Sequence, residues 1–216
     1  MTSRTTNNGY FINEDVLKNT GLSAEILKNA INELNDLIYS VDRALLEHGA
    51  ERLSQVVELA NLSSMLGNVF AAAIAKNSNG VMRRNGPHKY PDLLSNVADI
   101  PNIEVKVALE TNKPKGHLVK AGRYLTCRYV LCDESGAPRF SKGNRGTIPR
   151  IWEIRCGVLQ DHHFTVSNTD GDSGKTATVN KDGMDALAVV YIDIELMPYS
   201  ERSRIRKKII ATHQKI

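Results

Sequence analysis

Apolar residues in the first third of the chain recur every three or four positions, which is the spacing of amphipathic helices. The pattern predicts one helix from Ser23 to about His48, ended by Gly49, and a second over 51–76, ended by the Asn-Ser-Asn-Gly run at 77–80. The apolar stripe of the first helix comprises Ile26, Leu27, Ala30, Ile31, Leu34, Leu37, Ile38, Val41 and Leu45.

Beyond residue 80 the apolar period changes from about 3.6 to two. Ile103, Val105 and Val107 alternate with polar or small residues, the pattern of a half-buried strand. Further strands are predicted over 124–132, 151–159 and 186–196, and 133–150 is expected to be a long hairpin loop or recognition excursion. A basic segment after Pro198 is expected to form a short helix.

Helices followed by strands predict an α/β or α+β fold, with a mixed central β-sheet flanked by helices. At 216 residues the chain is expected to be a single domain over 1–216. Within it, 1–80 is expected to form a mainly helical part and 81–216 a sheet-containing part.

Composition and charge narrow the class of protein. Hydrophobic residues make up 41% and charged residues 24%, as in ordinary globular proteins, and the net charge is +4. Residues 101–150 carry 10 basic and 4 acidic side chains, and the last 16 residues carry 6 and 1. Positive charge concentrated in this way is typical of a phosphate-binding surface.

The sequence lacks the residues that several other classes of protein or site require. The three cysteines have no CxxC spacing, so they predict reduced thiols in or beside strands, without a zinc cluster or disulfide framework. The histidines show no metal-ligand spacing, and no GxxxxGK[ST] nucleotide loop is present. Without a signal peptide or a run of about 18 apolar residues, the protein is expected to be soluble and cytoplasmic, with no membrane partner.

One group of residues has the composition that phosphodiester hydrolysis requires. Pro91-Asp92 is followed, after 11 residues, by Glu104-Val105-Lys106 inside the alternating strand. Glu104 and Lys106 must share a face of that strand, and Asp92 could approach them from the preceding strand or its edge. Two carboxylates and a lysine can hold a metal ion, lower the pKa of a water and stabilise charge on phosphate. Asp99 is a spare first carboxylate, disfavoured because it lies only five residues before Glu104.

The motif formed by Pro91, Asp92, Glu104 and Lys106 resembles that of the PD-(D/E)xK nuclease superfamily. The resemblance implies a restriction-endonuclease-like fold and a Mg²⁺ cofactor, for which Mn²⁺ can substitute. It also implies that Asp92, Glu104 and the carbonyl of Val105 bind the metal, and that Lys106 orients or activates the attacking water.

Family members often carry an extra acidic residue on the helix before the motif, and Glu58 is matched to it as a further metal ligand. At 100° per residue, Glu58 falls near Leu62 on the apolar face of the second predicted helix. The alternative is that Glu58 lies at the N-terminal end of that helix and reaches solvent, where the helix dipole favours it.

The resemblance further implies a type II restriction endonuclease in a prokaryotic cytoplasm, cutting duplex DNA to leave 5′-phosphate and 3′-hydroxyl ends. A homodimer and a cognate DNA methyltransferase are expected with it. Two alternatives stay open: a structure-selective repair or junction nuclease, and a non-catalytic DNA-binding module in which residues 92, 104 and 106 are ordinary surface charges.

Basic residues after the motif are candidates for DNA contacts. Those around the next strand are Lys113, Lys115, Lys120, Arg123 and Arg128, and those of the 133–150 segment are Arg139, Lys142, Arg145 and Arg150. Arg145 is the first choice for a base contact, because Gly146 permits close approach of the backbone to a groove. The basic C-terminal segment is either a solvated helix end or a phosphate clamp.

Overall fold

The computed structural model of the chain describes residues 9–87, 89–141, 143–167 and 176–213. Its helices are α1 (Asp15–Lys18), α2 (Ala24–Glu47), α3 (Leu53–Val56), α4 (Leu59–Asn77), α5 (Lys181–Ala186) and α6 (Arg204–His213). Its strands are β1 (Tyr10–Phe11), β2 (Met82–Arg84), β3 (Leu93–Ser95), β4 (Ile103–Leu109), β5 (Lys115–Gly116), β6 (Gly122–Cys132), β7 (Phe140–Ser141), β8 (Asn144–Arg145), β9 (Ile148–Leu159), β10 (Phe164–Ser167), β11 (Thr176–Val179) and β12 (Ala188–Ile192).

Seven of these strands form a central sheet in the order β1-β12-β9-β6-β4-β3-β2. Only β4 and β6 pair in parallel; the other neighbours in this sheet are antiparallel. A three-stranded sheet, β10-β11-β5, lies beside it, and β7 and β8 form a small hairpin inside the 133–150 excursion. The predicted mixed sheet flanked by helices is confirmed.

The first predicted helix is confirmed almost to the residue. The Ser23 hydroxyl accepts a hydrogen bond from the Ile26 N–H at 3.2 Å and so caps the first turn of α2. His48 is the C-terminal cap, and Gly49 follows with a φ of 75°, a backbone conformation that glycine adopts at little cost.

The second predicted helix is wrong in one respect, since the structure divides it into α3 and α4. Val57 and Glu58 are extended, with ψ angles of 150° and 144°. Distant segments hold α3: the Leu53 N–H donates to the buried Asp42 carboxylate at 2.8 Å, and the Ser54 hydroxyl donates to the Thr147 carbonyl at 2.6 Å. These tertiary hydrogen bonds outweigh the local helical pattern.

The two faces of the central sheet are covered by different groups of side chains. Alternate residues of β4, beginning with Ile103 and Val105, pack with α2 and α4 in the main hydrophobic core. The opposite face carries Glu104 and Lys106 in its middle part. Two smaller apolar clusters lie on that face, one around Trp152 with the C-terminal segment and one around Tyr124 with β11 and α5.

Other elements depart from the predicted boundaries. The mainly helical part contains β1, which pairs with β12 near the opposite end of the chain. The strand predicted over 186–196 is limited to β12, because α5 ends only two residues before it.

The basic C-terminal helix is confirmed as α6, and the three cysteine thiols are free and buried in β6 and β9, as predicted. Within the described ranges, no helix has the length and apolarity needed to cross a membrane.

A buried ion cluster joins β6 to β9 on the same face as Glu104. Glu153, 1% exposed, accepts hydrogen bonds from the Arg128 guanidinium at 2.6 Å and from the Arg155 guanidinium at 3.0 Å. Arg128 also lies over the Trp152 ring, 4.6 Å from its centroid, and Arg155 donates to the Met184 carbonyl at 2.9 Å. One buried carboxylate therefore offsets two guanidinium groups.

Glu153→Ala is expected to lower the free energy of unfolding by about 3–5 kcal/mol, because it leaves the buried Arg128 without a counter-charge. Urea denaturation of the wild type and the variant measures this difference. Glu134→Ala is the control: Glu134 also pairs with an arginine, Arg52, but is exposed, so its loss should cost no more than about 1 kcal/mol. Equal losses for the two variants would contradict the structural role of the cluster.

Candidate active site

Asp92 and Glu104 meet where β3 and β4 begin to pair. Leu93 is the register partner of Ile103, so the residues just beyond this pair face each other across the two strands. The Asp92 N–H donates to Glu104 Oε2 at 3.2 Å, and the Val105 N–H donates to Asp92 Oδ2 at 2.9 Å. The backbone of each strand thus binds the carboxylate presented by the other.

Lys106 completes the group on the same face of β4. Its ammonium is hydrogen-bonded to Glu104 Oε1, and Nζ lies 4.0 Å from Asp92 Oδ2. The Lys106 and Asp92 side chains are 27% and 32% exposed, whereas that of Glu104 is 8% exposed. The group is therefore accessible from the Asp92 side and closed around Glu104.

Burial sets the electrostatics of this group. It raises the pKa of Glu104, against the attraction of Lys106, and the nearby Asp92 carboxylate raises that pKa further. Two tyrosines border the carboxylates, and burial raises the pKa of Tyr90 and of Tyr124, with Glu104 contributing in both cases. Their hydroxyls donate to the backbone carbonyls of Ala121 and Lys120. The tyrosines stay neutral, and the carboxylates and Lys106 are the groups able to carry charge here.

The donor set fits a hard divalent cation. Asp92 and Glu104 offer carboxylate oxygens, and because the N–H and C=O of a strand residue point to the same side, the Val105 carbonyl faces the Asp92 side as well. Magnesium is commonly held by one or two protein carboxylates, with waters and phosphate oxygens filling the remaining positions. Within the described residues no cluster of three or more His, Cys, Asp or Glu side chains forms a metal cage.

Glu58 is not brought to this group. It precedes α4, is exposed, and caps the helix without a side-chain hydrogen bond. The first turns of α4 lie near the C-terminal end of β4, since Ser63 contacts the Tyr129 hydroxyl at 3.0 Å and Tyr129 is the register partner of Leu109. Moreover, α4 packs on the face opposite Glu104. The exposed N-terminal position is the alternative that the sequence left open, and the metal-ligand role of Glu58 stays a prediction that this placement does not support.

The arginines of the 133–150 excursion lie far from Asp92. Arg145 forms an ion pair with Glu110, just past the C-terminal end of β4, at 3.3 Å, and Arg139 forms one with Asp133 at 2.7 Å. Arg150 is half-buried, and burial lowers its pKa. Lys142 lies outside the described residues. Residues 104 to 110 of a strand span about 20 Å, so this excursion and the carboxylates occupy opposite ends of β4.

Other predicted DNA contacts lie closer to the carboxylates. Lys115 is exposed on β5, whose next residue, Gly116, approaches the Lys106 side chain: a Cβ built on it would lie 3.7 Å from Lys106 Cε. Lys120 lies over the Tyr90 ring, 4.3 Å from its centroid. Lys113 is exposed in the same connection. Arg123 and Arg128 are different, since Arg123 faces the helix side next to Cys156 and Arg128 is buried with Glu153.

Sequence reasoning missed Arg83. It is exposed on the edge strand β2, and its register partner Leu94 lies two residues from Asp92 on the same face of β3. The sequence contained a signal for this strand. Met82-Arg83-Arg84 leads into the Asn-Gly-Pro turn that precedes Asp92, as the first strand of a hairpin would. Arg83 therefore stands on one side of the carboxylates, with Lys115 and Lys120 on the other.

The chain matches no protein-family model, and no curated protein matches its sequence. The chemistry of the site is accordingly read from its own residues.

Glu104→Gln is expected to gain stability relative to the wild type as pH rises from about 4 to about 8. A carboxyl whose pKa is raised in the folded protein binds its proton more tightly there than in the unfolded chain. Its contribution to the free energy of unfolding is therefore present at low pH and is lost as the pH rises through the folded pKa. Urea unfolding of both proteins in chelator, at several pH values, measures the difference. Asp99→Asn, at an exposed carboxylate in the β3–β4 connection, is the control whose difference should stay constant. A constant difference for Glu104→Gln as well would contradict the effect of burial on this group.

Proposed function

We propose that this chain is a magnesium-dependent DNA endonuclease whose reactive group is Asp92, Glu104 and Lys106. The observation that carries the proposal is the meeting of these three side chains at the junction of β3 and β4. The backbone N–H groups of Asp92 and Val105 hold the two carboxylates, and Lys106 is hydrogen-bonded to Glu104 and ion-paired with Asp92. The three groups required for phosphodiester hydrolysis meet at one solvent-accessible point, on strands that fix their separation.

Each residue has a distinct part in the proposed reaction. Asp92, Glu104 and the Val105 carbonyl would hold Mg²⁺ or Mn²⁺, which when bound supplies charge for the phosphate oxygens and lowers the pKa of a coordinated water. Lys106 orients the attacking water and stabilises negative charge on the phosphate. Tyr90 and Tyr124 restrict access of bulk water to Glu104, so that charge interactions there are stronger than in open solvent.

Nucleic acid is the proposed substrate because cations stand on both sides of the carboxylates, with Arg83 and Lys115 exposed and Lys120 half-buried. Arg83 on β2, and Lys115 and Lys120 in the β4–β6 connection, are placed to contact phosphates that flank the one attacked. The product would carry a 5′-phosphate and a 3′-hydroxyl.

We further propose a type II restriction enzyme with a restriction-endonuclease-like fold, acting as a homodimer in a prokaryotic cytoplasm beside a cognate methyltransferase. This finer proposal is supported by the resemblance of Pro91, Asp92, Glu104 and Lys106 to the motif of that family. A structure-selective repair or junction nuclease would use the same three residues and differ in the DNA it accepts.

A non-catalytic DNA-binding module is favoured by one specific observation. Lys106 already neutralises Glu104 by direct hydrogen bonding, so the group is satisfied in the absence of a cation. In such a module residues 92, 104 and 106 would only fix the β3–β4 junction.

Plasmid cleavage in magnesium distinguishes these proposals. Asp92→Asn, Glu104→Gln and Lys106→Ala are each expected to reduce the cleavage rate by about 10²–10⁴-fold, the range for loss of a positioned catalytic or charge-stabilising group. Asp92→Asn keeps an oxygen that can accept from the Val105 N–H, so folding should persist. The control Asp99→Asn should cleave at the wild-type rate, and excess chelator should abolish all cleavage.

The products separate the substrate classes. Discrete fragments indicate sequence-specific cutting, and cleavage of branched or damaged DNA alone indicates a repair nuclease. If the protein binds DNA but yields no product from any of these substrates in Mg²⁺ or Mn²⁺, the nuclease proposal is wrong and the non-catalytic DNA-binding module is the remaining alternative.

The placement of the cations gives a separate expectation for DNA binding. Arg83→Ala should weaken the binding of all duplex sequences alike and lower the slope of log K against log salt by about one, because a single phosphate contact is lost. Arg139→Ala is the matched arginine control at the far end of β4, where the slope should not change. Binding is measured in calcium over a salt series. The reverse pattern would place the DNA on the 133–150 excursion, as the sequence first indicated.

A further inference from the structure

Thr126, at the middle of β6, buries a hydroxyl that has no hydrogen-bond partner among the described residues. Its exposed fraction is 1%, and Oγ1 itself is inaccessible to solvent. A buried hydroxyl that forms no hydrogen bond costs folding free energy, and such groups are uncommon in native proteins. Val has the same shape as Thr and would fill this position without that cost, so the hydroxyl needs an explanation.

The register of the sheet shows which groups surround this hydroxyl. Lys106 on β4 and Arg155 on β9 are the partners of Thr126 on either side, on the same face and about 4.8 Å away between strands. Arg155 is held by Glu153 and by the Met184 carbonyl. Arg128, two residues along β6, is also held by Glu153.

Arg155 Nε also forms no hydrogen bond, but the Arg155 guanidinium is fixed by Glu153 and the Met184 carbonyl, so Lys106 is the neighbour that can turn a spare donor toward Thr126. An ammonium has three hydrogens, and in the structure Lys106 makes one hydrogen bond, to Glu104. A hydroxyl bordered by cations offers its lone pairs to them, so Thr126 Oγ1 is placed as an acceptor. The side chain of Lys106 can turn about its own bonds toward β6, whereas the backbone fixes Thr126.

We propose that Thr126 is a positioning residue for Lys106, a role that rests on the proposed function. When Glu104 turns its carboxylate to a divalent cation, the Lys106 ammonium leaves Glu104 Oε1 and donates a hydrogen bond to Thr126 Oγ1. Thr126 thereby frees the Glu104 ligand oxygen and holds Lys106 close to the water and the phosphate. The Thr126 hydroxyl, which has no partner among the described residues, is the acceptor for this second position of Lys106.

Calorimetric titration of the protein with Mg²⁺ alone tests this role without DNA or cleavage. In Thr126→Val, Lys106 has no second acceptor and continues to compete with the cation for Glu104. The Kd for Mg²⁺ is expected to rise about tenfold or more, the effect of one hydrogen bond donated by a charged group. Thr126→Ser keeps the hydroxyl and should restore a Kd within about twofold of the wild type.

Stability and turnover complete the test. In chelator, Thr126→Val should unfold at the wild-type temperature or above it, because it removes a hydroxyl without a partner. In single-site cleavage, kcat should fall about tenfold with KM unchanged, since Lys106 is no longer held beside the water and the phosphate. The serine variant should recover kcat.

The outcomes separate this inference from the proposed function. A wild type that neither binds Mg²⁺ nor cleaves DNA overturns both. A wild type that binds Mg²⁺ and cleaves, with Thr126→Val identical to it in Kd and kcat, overturns only the role of Thr126. A Thr126→Val protein that is markedly destabilised in chelator also overturns it, since the hydroxyl would then have a structural partner.

Discussion

The buried carboxylate of Glu153 is the constraint on which the central strands depend. It lies between two guanidinium groups, one from β6 and one from its own strand β9, where solvent cannot compensate an unpaired charge. Slipping β6 against β9 by one residue would move Arg128 to the helix side and leave Glu153 without its partner. The register of the middle of the sheet is thus fixed by charge as well as by apolar packing.

That register reaches the candidate site through β6. Thr126 lies beside Arg155 in one direction and beside Lys106 in the other, so one row of side chains joins the ion cluster to the candidate site. The apolar face of β4, held by α2 and α4, fixes the same strand from the opposite side. Glu104 is therefore mounted on a strand constrained on both faces, while Asp92 directly precedes the short strand β3 near the edge and supplies the accessible side of the site.

The local pattern of residues predicted those features that depend only on neighbours in the sequence. The alternation at 103–107 places Glu104 and Lys106 on one face, and Ser23 and Gly49 bound the first helix, because alternation and capping act within a few residues. The division of the second predicted helix at Val57 and Glu58 could not be predicted in this way, since α3 is held by a hydrogen bond from the Leu53 N–H to Asp42 on the preceding helix α2. Likewise, closeness in sequence made Arg145 look near the site, whereas strand direction puts it at the far end.

The parallel pairing of β4 with β6 has a consequence for where the cations of the connecting segment lie. A hairpin would turn at the end of β4 and keep the following residues there, but a parallel partner must start again beside the beginning of β4. Residues 110–121 are thus obliged to retrace the whole strand, crossing Lys106 at Gly116 and reaching Tyr90 at Lys120. The same stretch of chain that leaves β4 is carried back along it beside Lys106 and Tyr90, so that an insertion or deletion within it would alter what borders Asp92 and Glu104 before it altered the carboxylates themselves.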